Sequence, residues 1–258
     1  MYPTSSQAKL WTFTPQELER MRHAAYEQGI RKSGSSIPED LYWRYINKKS
    51  QDLFSLSKRI EFNRYQRATA LAFYQRIYLK TSIWEFPPSI AIIVSCFFVS
   101  KFLRVIRFCD FLAHAEVPED FIKQTSLEEI LPAIELRFIA LLDFRFKIHL
   151  PYNQFFAATE NGFSDEEKTQ ILLHLNNLLM TDALFLQPPG VIAIAAIARE
   201  VGEERALPLA QDVDIRNGIQ ELLNLQFNPM ITPEEDAQIE VETLQKFAMI
   251  WTEENEKE

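Results

Sequence analysis

The chain has 258 residues, 47% of them hydrophobic, with 20 Phe and only six Gly. That composition fits two domains with substantial cores and disfavours a loop-rich enzyme or a Gly-rich phosphate cradle. The net charge of −9 argues against sequence-independent nucleic-acid binding. Residues 1–150 carry 21 Lys+Arg against 16 Asp+Glu, whereas residues 151–258 carry 6 against 20: two halves of opposite sign, read either as surfaces for different partners or as solvated faces of unequal composition.

Thr14-Pro15-Gln16-Glu17 reads as an N-cap, a Pro at the first helical position and an acid in the first turn. It predicts a helix over 15–29, with a flexible break at Gly29 and Ser33-Gly34-Ser35-Ser36. A second helix is predicted from Pro38 to about Arg59 and a third over Arg64–Leu79, with small Ala68, Ala70 and Ala72 that let neighbours approach. Pro87-Pro88 then introduces the apolar run Ile90–Val99, far too short to span a bilayer. A helix is also predicted over Leu103–His114. Read literally, residues 88–115, with no Gly, Pro or Asn after Pro88, make one helix about 42 Å long, too long for a compact domain. Ser126-Leu127-Glu128-Glu129 has capping-box character and opens a helix to about Leu142, with Pro132 forcing either a start nearer residue 131 or a kink. Pro233-Glu234-Glu235-Asp236 opens a last helix, with Ile239, Leu244, Phe247 and Trp251 along its apolar side. No run alternates as a strand would.

The second half repeats the first in outline. Pro87-Pro88-Ser89-Ile90-Ala91-Ile92-Ile93 is echoed by Pro188-Pro189-Gly190-Val191-Ile192-Ala193-Ile194, each followed by a terminal helix, Ile134–Phe144 and Ile219–Phe227. A repeat of that length predicts an all-α chain of two related five-helix domains, with Pro151 at the linker. Cys96 and Cys109 form no CxxC motif and read as buried free thiols of a reducing compartment. Met1–Trp11 lacks the basic-then-apolar pattern of a signal peptide, so a soluble intracellular protein is expected. His23, His114, His149 and His174 are scattered, no HExxH, Walker or GxSxG pattern occurs, and Glu128-Glu129 and Glu203-Glu204 read as helix starts or solvated faces. No catalytic residue, metal site or cofactor is predicted.

Several segments carry a resemblance to a family. They are Met1-Tyr2-Pro3-Thr4-Ser5-Ser6-Gln7 with Trp11-Thr12-Phe13, Ala70–Leu79, Ser100-Lys101-Phe102, Ile134-Glu135-Leu136 with Leu142-Asp143-Phe144, and Pro151-Tyr152 with Thr181-Asp182-Ala183. In order and spacing over about 1–228 they resemble the transcription-linked cyclins of the cyclin H type. The resemblance implies two tandem five-helix cyclin boxes, residues 38–150 and 151–228, flanked by an N-terminal helix and linker (1–37) and a C-terminal helix (229–258). It implies a non-catalytic nuclear subunit that activates a cyclin-dependent kinase in the CDK-activating kinase of transcription factor IIH. The implied partners are the kinase and a RING-finger assembly subunit, with no direct nucleic acid and no membrane. In such cyclins the third and fifth helices of the first box receive the kinase's C helix. By the match, Lys101 and Glu135 clamp main-chain groups beside it, and Phe102, Ile139 and Phe144 are apolar neighbours. Without the resemblance, Lys101 and Glu135 read as a surface pair or a mutual salt bridge, and Ile139 and Phe144 as core. The family continues after Lys-Phe with two acids and a loop, so a connector after Phe102, and another near Ser33, is expected to be absent from this chain. The alternatives are a Mediator-type transcriptional cyclin and a cyclin-fold DNA-binding general transcription factor. The latter type normally has a basic DNA face and often a zinc ribbon; the second half is acidic and no ribbon occurs.

Overall fold

The computed structural model describes residues 2–102, 107–209, 213–225 and 230–255. In chain order the helices are α1 (Ser6–Leu10), α2 (Pro15–Ser33), α3 (Glu39–Arg59), α4 (Arg64–Ile77), α5 (Pro88–Lys101), α6 (Phe108–His114), α7 (Glu119–Thr125), α8 (Leu127–Leu141), α9 (Tyr152–Ala158), α10 (Asp165–Leu179), α11 (Ala183–Leu186), α12 (Pro189–Val201), α13 (Glu203–Ala206), α14 (Val213–Asn224) and α15 (Pro233–Asn255). No strand occurs among the described residues. The helices fall into two compact units, one of Leu18–Phe146 with Asn228–Glu258, the other of Met1–Glu17 with Lys147–Phe227.

Each unit is built round a central helix that starts with proline. In the unit of Leu18–Phe146 with Asn228–Glu258, called the first-box unit because it holds most of the expected first box, this is α5, with Pro88 at its first turn and α3, α4 and α8 packed against it. Every residue from Ile90 to Val99 is buried, which is why that run shows no helical periodicity: a helix covered on all sides needs none. The counterpart is α12, opened by Pro189 and contacted by α9, α10, α13 and α14. Its buried Ala193, Ala195, Ala196 and Ala198 let those neighbours approach. The Pro-Pro repeat thus marks the start of the core helix in each unit.

Local capping sets several other boundaries. Thr14 and Glu17 exchange side-chain and backbone bonds at the start of α2, and Asn63 with Gln66 and Ser164 with Glu167 form capping boxes on α4 and α10. Four expectations are corrected. The first long helix does not stop at Gly29 but runs to Ser33, because Gly29 is where α2 meets Ser82 and Trp84 too closely for any side chain. Gly34, at φ 63°, makes the actual break. The Ser126 side chain makes no capping bond: the residue sits in the left-handed region at φ 48°, and α8 starts directly after it and passes through Pro132, anchored by buried Leu127, Ile134 and Phe138. The helix ends at Leu141 rather than Phe144. The single helix over 88–115, expected to be too long for a compact domain, is indeed not formed, since α5 ends at Lys101 and α6 begins only at Phe108; the connector expected to be absent after Phe102 falls at residues outside those described, as does Phe227. Cys96 is buried, but Cys109 is exposed.

The flanking helix α15 is held in the first-box unit by charge as well as by apolar contact. Lys49 of α3 bonds Glu240 at 2.9 Å and Asp236 at 3.2 Å, and the Tyr45 hydroxyl donates to Glu240 at 2.6 Å. Buried Ile239 and Phe247 supply the apolar side. At the other end, buried Glu85 receives bonds from Ser82 and Lys32, while Arg137 of α8 pairs with Glu254 of α15 at 3.1 Å. Burial works to raise the Glu85 carboxyl, but Lys32, the Ser82 hydroxyl and Arg137 outweigh it and hold the group below the usual carboxylate range.

Candidate functional site

The five residues singled out in the sequence all belong to the first-box unit. Lys101 is the last residue of α5 and Phe102 its C-cap. Glu135 and Ile139 lie one turn apart on α8, so their side chains share a face. Phe144 follows in the turn after α8.

Although 34 positions apart in sequence, Lys101 and Glu135 are joined by a direct hydrogen-bonded ion pair. The Lys101 ammonium also lies over the Phe97 ring, 4.7 Å from its centroid. A Lys head holds three donors and a carboxylate about four acceptor positions, so each keeps capacity for a further main-chain bond while paired. Exposed apolar side chains adjoin the two residues in sequence. Phe102 is 59% exposed, Leu136 63% and Phe144 63%, and Ile139 is half-buried. Large apolar side chains left in water beside a polar pair are the signature of an interaction surface.

This surface rests on a packed aromatic floor. Phe98 contacts Phe73, Phe102, Phe138 and Phe146 with centroids 5.1–5.9 Å apart, mostly edge to face, the favoured aromatic geometry. Phe73, Phe98 and Phe138 are buried. The exposed Phe102 is therefore the outer member of a rigid stack, not a loose side chain. Of the predicted apolar neighbours, Phe102 and Phe144 are not core but surface.

Sequence reasoning missed Leu136 and the turn that carries Phe144. Asp143 and Phe144 both have positive φ, 53° and 55°, and Asp143 pairs with Lys80 at 2.5 Å. A non-glycine left-handed pair has no sequence signature. Among the described residues no cluster of His, Cys, Asp and Glu is arranged to hold a metal ion, and no helix is long and apolar enough to cross a membrane.

No family model matches the sequence. Among curated proteins, the RNA polymerase II holoenzyme cyclin-like subunit of Neurospora crassa is 29% identical over 201 residues, covering 76% of this chain and 57% of the relative. Cyclin-H of Xenopus laevis is 25% identical over 224 residues, covering 76% of this chain and 67% of the relative. The matches thus span roughly three fifths to two thirds of those relatives. Among solved structures, a chain of the CAK complex from Chaetomium thermophilum aligns with a TM-score of 0.77 at 20% identity, over 95% of this chain and 88% of that one. A chain of the yeast TFIIK (Kin28/Ccl1/Tfb3) complex aligns at 0.66 and 19% identity, over 86% of this chain and 98% of that one. The fold is the cyclin fold, and the sequence relatives are cyclin H and cyclin-like subunits.

Proposed function

We propose that this cyclin-fold homologue of cyclin H is the regulatory subunit of a CDK-activating kinase linked to transcription factor IIH, binding and activating a cyclin-dependent kinase without itself performing chemistry. The observation that carries the reading is the Lys101–Glu135 pair, with exposed Phe102 directly after Lys101 and exposed Leu136 directly after Glu135, on the helices where the cyclin resemblance locates kinase contact. The kinase's C helix packs its apolar side on the phenylalanines, while the ammonium and the carboxylate bond main-chain groups at its end. Binding only the kinase conformation in which the C-helix Glu pairs with the active-site Lys shifts the population to the active state. Similarity to chains of the CAK and TFIIK complexes supports a RING-finger assembly subunit as third partner, and with it a nuclear location.

A second reading is favoured by the Neurospora relative: a cyclin subunit of the RNA polymerase II holoenzyme, which would use the same surface toward a different kinase. Affinity purification of the tagged chain followed by mass spectrometry separates the two. Recovery of a kinase with a RING-finger protein supports the first; a kinase accompanied by holoenzyme subunits supports the second; no kinase at all refutes both. Lys101→Ala and Glu135→Ala are each expected to reduce kinase capture about tenfold with unchanged thermal stability, and unchanged capture for both would remove the surface from the proposal.

A further inference from the structure

Helix α8 ends in a turn that is unusual for the residues composing it. The Phe144 N–H donates to the Ile139 carbonyl at 3.2 Å and the Asp143 N–H to the Ala140 carbonyl at 2.9 Å, with Leu142 as C-cap. These two bonds define a Schellman motif, in which the residue after the cap is left-handed and is usually glycine. Here that residue is Asp143, at φ 53°, and Phe144 after it is left-handed too, at φ 55°. A residue with a Cβ is disfavoured there, Asp less than most and Phe strongly. Conformations of that kind persist where surrounding contacts over-determine them, and they concentrate at functional positions.

The contacts are identifiable. The Asp143 carboxylate bonds Lys80, which follows α4, at 2.5 Å. One residue beyond Phe144, the Arg145 carbonyl accepts from the buried Arg76 guanidinium of α4 at 3.4 Å. Phe146 then packs on Phe73 and Phe98. The strained residue is thus fixed on both sides, by Lys80 after α4 and by Arg76, Phe73 and Phe98 of α4 and α5, and Phe144 is left 63% exposed. Glycine at 143 would satisfy the backbone better but would carry no carboxylate for Lys80.

We infer that Lys80 and Asp143 form a positioning pair which holds the turn after α8 in its left-handed conformation so that Phe144 is presented, pre-ordered, to the kinase. The inference rests on the kinase-binding reading above. Neither residue touches the kinase in this account; both act through Phe144. A pre-ordered turn loses less backbone freedom on binding, so the pair raises affinity without adding a contact.

The test uses the full chain and the kinase recovered by the purification described above. Asp143→Gly relieves the backbone and is expected to unfold at the same or a higher temperature, yet to bind the kinase about fivefold more weakly. Lys80→Met and Asp143→Asn are expected to weaken binding similarly, whereas Lys80→Arg, which keeps the charge, retains it. Opposite signs on stability and binding are not produced by a purely structural role. Asp143→Gly binding as tightly as the natural chain would overturn the inference. Should no kinase be recovered, the underlying reading has failed, and amide exchange of the free chain still decides the positioning role. In Lys80→Met the Phe144 and Arg145 amides are expected to exchange several-fold faster while those of α4 and α5 are unchanged, and equal rates at Phe144 and Arg145 would refute it.

Discussion

Replacing Gly29 by alanine sets two effects of known sign against each other. In the interior of α2, Gly→Ala removes backbone entropy from the unfolded chain and should stabilise by about 0.5–1 kcal/mol. A Cβ at that position, however, lies 2.3 Å from the Ser82 Cβ and 2.8 Å from both the Ser82 Oγ and the Trp84 Cε3, where carbon atoms normally sit about 3.5–4 Å apart. Ser82 and Trp84 are fully buried. The Ser82 hydroxyl also donates to the Glu85 carboxylate at 2.9 Å and accepts from the Glu85 N–H at 3.3 Å, so it cannot withdraw without unseating the acid that receives Lys32. Overpacking of this kind costs about 1–3 kcal/mol or more, and because the offending atom is a Cβ rather than a flexible tip, the upper part of that range applies. The net expectation is a loss of about 1–2 kcal/mol, measured as a lower urea midpoint of the full chain with an unchanged slope. Gly190→Ala is the control: its Cβ meets nothing nearer than the Gln154 Cγ at 4.0 Å, and it should be neutral or slightly stabilising. A Gly29→Ala chain as stable as the natural one would show that α2 does not pack on Ser82 and Trp84 as described.

The anchor of α15 gives two more expectations. Burial works to raise the Glu240 carboxyl, but the Lys49 charge and the bonds from Tyr45 and Lys49 prevail and hold it below the usual range. A depressed carboxyl contributes stability that is complete above its unfolded value of about 4.3 and is lost as pH falls through the folded value. The acid limb of the stability curve should therefore be shallower in Glu240→Gln, and identical limbs would refute the pair. Glu240→Ala leaves the Tyr45 hydroxyl without that acceptor and the Lys49 ammonium with Asp236 and Asp52, and should cost about 1–2 kcal/mol, read by denaturant titration; an effect under about 0.5 kcal/mol would place the pair with ordinary surface pairs.

What was legible in the sequence is what is local. Thr14 and Glu17 mark a helix start through bonds made within a few residues, the prolines at 88 and 189 through a fixed φ and a missing N–H, and the structure puts the starts there. The same local logic misread Gly29, since a glycine in a helical pattern looks like a stop unless one knows that residues 82 and 84 come against it. It also misread Ser126, whose capping-box spacing is right but whose backbone is left-handed. The run Ile90–Val99 showed no period because every side of it is covered, so its role as the core helix came from the repeated Pro-Pro, not from amphipathicity. The partnership of Lys49 with Glu240, 191 positions apart, has no trace in either neighbourhood. Lys101 and Glu135 were found through the cyclin resemblance alone; their spacing carries no signal, and only the fold brings them together.

The Lys101–Glu135 pair makes a sharper demand than charge alone. Exchanging Lys101 for arginine keeps the charge and the site's sign, so a surface that merely needed a cation would tolerate it. A guanidinium is a planar fork that engages a carboxylate with two parallel bonds. In place of Lys101 it would occupy both Glu135 oxygens and spend its own donors there. The ammonium instead makes a single point contact, leaving further donors on the nitrogen and a second oxygen on the carboxylate for main-chain groups of an incoming helix. The arginine would also change the stacking on Phe97, over which the ammonium now sits at 4.7 Å. Lys101→Arg is therefore expected to leave folding untouched and to weaken kinase binding about threefold to tenfold, measured by titration calorimetry or surface-immobilised kinase. Affinity equal to that of the natural chain would mean that Lys101 supplies only charge, and that the main-chain bonds assigned to the pair are not what holds the kinase.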